Sequence, residues 1–153
     1  MSENFVPSSQ LVSLSKAINA ASDQITKELI EIEKGLNVLR LGVIANVQLR
    51  TWSLNDPLEE TGQVTRVESL VYGRKDGKWG LLVCDWCEEY QDFPEDDSCF
   101  TFLRDASRET RLAAMEKIPD LIAALAREAE ELNKRLSQQL SVAKWLKSEL
   151  KKP

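Results

Sequence analysis

The 153-residue chain contains no histidine. That absence removes Ser-His-Asp and Cys-His nucleophile pairs, histidine-ligated zinc and the commonest general base at neutral pH. Cysteine is scarce and odd in number, three in all. Such usage suits a reducing compartment better than a disulfide scaffold. No apolar run approaches the roughly 18 residues of a membrane span. The opening MSENFVPSSQ has neither the basic nor the apolar region of a secretory signal. A cytoplasmic protein with no membrane partner is expected. Walker loops, dinucleotide fingerprints, nucleophile elbows and kinase motifs are missing too. Gly73, Gly77 and Gly80 sit together in one hairpin, where turn and packing account for them. These gaps point away from an enzyme and from a bound cofactor.

What remains is an ordinary folded composition, 42% hydrophobic and 29% charged, expected to form one domain over residues 1–153. A formal net charge of −5 argues against nucleic acid as a partner, because such affinity rests on neutralising phosphates.

The strongest pattern lies at the C-terminal end. Leu112, Met115, Ile118, Ile122, Leu125, Ala129, Leu132, Leu136, Leu140, Ala143, Leu146 and Leu150 recur in steps of three and four. Those steps draw one apolar stripe along an α-helix. Asp105 or Ser107 is the expected cap over residues 105–150. Pro119, whose ring clashes with the preceding turn, predicts a short helix over roughly 107–117, then a break or kink and a second helix to about 150. A second stripe runs through Leu11, Leu14, Ile18, Ala21, Ile25, Leu29, Ile32, Leu36 and Leu39. It predicts a helix over 9–41 after an irregular arm at 1–8, with Gly42 as terminator.

Between the helices the period falls to two, predicting an antiparallel sheet over 43–103. Val43, Ala45, Val47 and Leu49 alternate with Ile44, Asn46, Gln48 and Arg50 as the two faces of a first strand. Val64–Tyr72 follows, then Asp76-Gly77, which favours a type I′ hairpin turn. Trp79–Cys87 is apolar on both faces and so expects cover on both. Residues 88–98 form an acidic loop, and Cys99–Leu103 a short fourth strand. The fold class is α+β: a long N-terminal helix, a three- to four-stranded antiparallel meander and C-terminal helices broken near Pro119.

Three groups could carry chemistry. Arg104, Arg108 and Arg111 fall on one helix face near an N-terminus, where guanidinium forks suit a phosphate or nucleotide. Arg74 and Lys78 could join them, but all five also serve plainly as partners of the acidic loop or as solubilisers of the hairpin. Cys84, Cys87 and Cys99 offer three thiolates for zinc or thiol chemistry, with Asp96 or Asp97 as a fourth ligand. Yet an offset of three in a strand sets Cys84 and Cys87 on opposite faces, and buried cysteine is the simpler reading. The acidic run through Asp85, Glu88, Glu89, Asp92, Glu95, Asp96 and Asp97 lacks calcium-loop spacing and reads as solvated. Trp145, among lysines, reads as a seal on the helix end.

Both stripes outrun what so small a sheet can bury. Leu125, Leu132, Leu136, Leu140, Leu146 and Trp86 are therefore expected at an interface between copies of the chain.

Tyr72-Gly73 with Asp76-Gly77-Lys78-Trp79-Gly80-Leu81, Ala106-Ser107-Arg108-Glu109 and Ile118-Pro119-Asp120-Leu121 resemble small bacterial and phage-borne proteins without assigned function. Arg74 and the Cys84–Cys87 pair fall outside that pattern. The resemblance implies a bacterial or phage setting, and it transfers no functional residue. The expected function is a non-enzymatic, oligomeric interaction protein, of the kind a phage uses to inhibit a bacterial system. Its partner would be a protein or a small anionic ligand. Sequestration of a phosphate ligand by the arginines and a small cysteine-based metal or thiol protein are the alternatives.

Overall fold

The computed structural model describes residues 8–55, 63–87 and 99–153. Helix α1 (Ser8–Leu39) leads into strands β1 (Ala45–Asn55), β2 (Gln63–Lys75), β3 (Lys78–Cys87) and β4 (Phe100–Phe102). A 3₁₀ turn at Leu103–Asp105 then precedes helix α2 (Arg108–Leu150). The strands form one antiparallel sheet in the order β1-β2-β3-β4. This is the α+β meander that the periodicity predicts. The acidic loop at 88–98 and the arm at 1–7 lie outside the described residues.

Local chemistry sets the boundaries. Helix α1 ends where Arg40 turns left-handed, at φ 49°, and Gly42 follows at φ 68°. The β2–β3 turn places Asp76 at φ 51° and Gly77 at φ 77°, both positive as a type I′ turn requires. Ser107 caps α2, its Oγ accepting from the Thr110 N–H at 3.2 Å.

Pro119 does not break the C-terminal helix: α2 runs unbroken for 43 residues with the proline inside. Pro119 itself is exposed, so its ring points away from the sheet. The flanking Ile118 and Leu121 are buried, at 5% and 0% exposure. Anchoring on both sides of the lost hydrogen bond offsets a defect of about 3 kcal/mol.

Both helices pack on the same sheet face, α2 over β1 and β2 and α1 over β3. The core between them holds Leu29 and Leu36 of α1, Leu70, Tyr72, Leu81 and Val83 of the sheet, and Ala114, Ile118, Leu121 and Leu125 of α2. Val71, Leu82, Cys84 and Phe100 form a second buried cluster on the opposite face. Strand β3 is thus covered on both sides, as its two apolar faces require.

Because β4 is only three residues long, it leaves the outer edge of β3 open towards the hairpin. Helix α1 closes that edge with side chains one turn apart. Glu33 accepts from the Leu81 N–H at 2.7 Å, and Asn37 donates to the Trp79 carbonyl at 3.2 Å. Asn37 also accepts from the Tyr72 hydroxyl at 2.6 Å. Burial, and then the nearby Glu33 charge, raises the Tyr72 pKa above its ordinary value. Glycine at position 80 makes the approach possible, since a Cβ there would lie 2.7 Å from Glu33 Oε2. An open β-edge becomes a sealed one.

Candidate functional site

The three helix-face arginines do not act together. Arg104 lies over the Phe102 ring at 4.7 Å and reaches Glu33 at 3.5 Å. Arg108 donates to Asn19 Oδ1 at 2.7 Å and to Ser22 Oγ at 3.3 Å. Arg111 donates to the Ala106 carbonyl at 2.6 Å and to the same Ser22 Oγ at 3.2 Å. Ser22 and Glu33 are eleven residues apart on α1, roughly 16 Å at the helical rise. Arg104 therefore belongs to a separate contact. Arg74 and Lys78 are exposed near the hairpin tip and join neither group. What Arg108 and Arg111 do together is dock α1 against the start of α2.

A second polar node lies beside the first turn of α2, and the sequence reading missed it. The β1–β2 register shifts between Gln48 and Arg50. A bulge of this kind turns two neighbours to one side of a strand. Leu49 packs against the core, and Arg50 swings to the helix-covered face instead of the outer face that alternation assigns it. There it binds Glu68 at 2.7 Å, Glu109 at 2.9 Å and Thr110 Oγ1 at 3.1 Å. The Glu68 hydrogen bond is the main reason that the Arg50 pKa is raised. Arg66, bonded to Asp85 at 2.8 Å, continues the polar strip along the sheet. Arg50 ties β1, β2 and α2 together, a structural task.

The cysteines divide. Strands β2 and β3 pair without a register shift from Lys75↔Lys78 to Arg66↔Cys87, so Cys84 and Cys87 face opposite sides of the sheet. Cys84 is fully buried in the outer-face cluster, and its thiol hydrogen-bonds with Cys99. Burial first, then the Cys99 charge and hydrogen bond, push the Cys84 pKa up to about 12. A buried thiol held protonated is a poor nucleophile. Asp96 and Asp97, the carboxylates suggested as a fourth ligand, lie outside the described residues. Among the described residues, no three acidic or cysteine side chains gather as a metal site would need.

Among the described residues, both helices carry exposed apolar stripes at their free ends. Residues 8–21 of α1 are exposed throughout, including Leu11 at 56%, Leu14 at 49% and Ile18 at 49%. At the other end of α2, Leu136, Leu140, Leu146 and Leu150 are exposed at 58%, 55%, 46% and 86%. Trp145 is 60% exposed and seals nothing. Leu125 departs from the interface expectation, since at 2% exposure it belongs to the chain's own core. Leu132 is half-buried in a groove of about 300 Å³ with Val43 and Ile44, where α2 leaves the sheet. Trp86 is half-buried against the outer-face cluster.

No family model, curated protein or solved structure matches this chain.

Direction matters as much as exposure. Helix α1 meets the start of α2 at Asn19 and Ser22, while its C-terminal end approaches Tyr72 and Trp79. Helix α2 sets out from that same junction and reaches Gly42–Ile44 with residues 128–135. The helices therefore run the same way, and their free ends project from opposite ends of the molecule. Among the described residues, no helix is long and apolar enough to cross a membrane.

Proposed function

We propose that the protein is a non-enzymatic interaction protein that assembles with copies of itself through the free stripes of α1 and α2. One observation carries the reading: each stripe continues the same helix face that is buried farther along its own helix. Leu11 and Ile18 share the face of Leu29, and Leu136 and Leu146 share that of Leu121 and Leu125. Leucines at this spacing, about half exposed, leave apolar area in water at about 25 cal/mol per Å². A second helix laid along each stripe removes that cost. The chain's small size, its net charge of −5 and its lack of catalytic motifs suit an assembly that inhibits a bacterial system by holding its target.

Sedimentation velocity at tens of micromolar chain tests the assembly. A discrete multiple of the 17.3 kDa chain mass is expected. The double variant Leu136→Glu/Leu140→Glu should sediment as a folded monomer, because charges on a stripe cannot be desolvated cheaply. A wild-type monomer under these conditions would sink the proposal.

A further inference from the structure

We infer that the junction of α1 with the start of α2 is a binding site for a small phosphate-bearing ligand, recognised by Arg108 with the Arg111 charge behind it. Self-assembly plays no part in this site, which carries a charge imbalance. Two guanidinium groups converge on one hydroxyl, Ser22 Oγ, at 3.3 and 3.2 Å. Their other acceptors, Asn19 Oδ1 and the Ala106 carbonyl, are also neutral. Among the described residues, neither arginine forms an ion pair with a carboxylate. The nearest acid along the helix, Glu109, is engaged by Arg50 at 2.9 Å.

Like charges brought together repel unless something negative lies between them. Here the α2 N-terminus adds a third positive contribution, its partial charge. Donors also remain unspent. Arg111 Nε is buried and has no acceptor. Ser22, 7% exposed, accepts from both arginines, so its own O–H is free to donate. Arg108 is solvent-exposed and uses Nε and one terminal nitrogen, which leaves its other terminal nitrogen open to a ligand. Of these donors only the Arg108 nitrogen is open to solvent, and a phosphate suits it because guanidinium forks match phosphate oxygens. The phosphate sits on the open side of Arg108, with Arg111 and the helix end lowering its energy from behind.

Inorganic phosphate is the probe, titrated calorimetrically into the 153-residue chain, with sodium chloride and acetate at matched ionic strength as comparisons. Phosphate should bind measurably, and chloride and acetate should bind at least about tenfold more weakly. Arg108→Gln should weaken phosphate about tenfold or more. Arg104→Gln, whose side chain lies at Glu33, should bind like wild type. Asn19→Ala removes a bond that docks α1 but keeps both charges, and it should retain binding. No response to phosphate in wild type overturns the inference, as does equal binding by Arg108→Gln. Loss in Asn19→Ala matching that in Arg108→Gln overturns it as well, because the arginines would then act only as a clamp.

Discussion

Arg50 shows how one backbone irregularity reassigns a side chain. Strict alternation from Val43 puts it on the outer face, and the bulge at Leu49 returns it to the inner one. Nothing in the local residue types marks that bulge, because a Leu-Arg pair fits a regular strand equally well. The Asp76-Gly77 turn and the Ser107 cap were legible because each rests on a short-range rule. Cys84 links stability to alkaline pH. Its thiol moves from an ordinary 9.0 to about 12. A raised folded-state pKa means that the folded chain holds this proton more tightly than the unfolded chain does. The resulting stability is fully present below pH 9 and drains as pH rises towards 12. Urea midpoints measured between pH 8 and pH 11 should therefore fall for the wild type. They should fall less steeply for Cys84→Ala, from a lower starting point, because a cavity replaces the buried sulfur. Parallel slopes would assign the alkaline loss elsewhere, with Tyr72, also raised, as the next group to test.

Among the elements, α2 contradicts its own sequence most clearly. Pro119 ends most helices, and here the helix continues through it because Ile118, Leu121, Ala124 and Leu125 are fixed on the sheet. Tertiary burial overrides local propensity, so the break expected from the proline does not occur. If packing tolerates the proline and does not need it, Pro119→Ala should stabilise the fold. Recovery of one hydrogen bond and relief of the ring clash should outweigh the added freedom of the unfolded chain by about 1–2 kcal/mol. A higher urea midpoint with unchanged slope is the expected result; a lower one would mean that the proline shapes α2 for its contacts. The seal on β3 was hidden for the opposite reason. Glu33 and Asn37 look like ordinary surface residues of an amphipathic helix. Only the shortness of β4 leaves backbone groups within their reach.

For the assembly proposed, the charge on the two free helix ends decides which contact is favourable. The α1 end, residues 8–21, holds one charged side chain, Lys16. The α2 end, residues 133–153, holds Lys134, Arg135, Lys144, Lys147, Lys151 and Lys152 against the single side-chain carboxylate of Glu149. Two α2 ends laid side by side would bring these lysines together at a repulsive cost. An α2 end laid along the α1 end of a neighbouring copy avoids it. Their free lengths, roughly 27 and 21 Å, are also well matched. Such a contact joins two different surfaces, so copies must close into a ring or extend without limit. A mixing experiment separates this from a two-fold dimer. Leu14→Glu should disable only the α1 surface and Leu136→Glu only the α2 surface, leaving each variant monomeric. Mixed, the two variants retain one intact pair of surfaces and should form a one-to-one complex that grows no further. A two-fold contact between α2 ends predicts otherwise: Leu14→Glu would assemble normally alone, and mixing would rescue nothing.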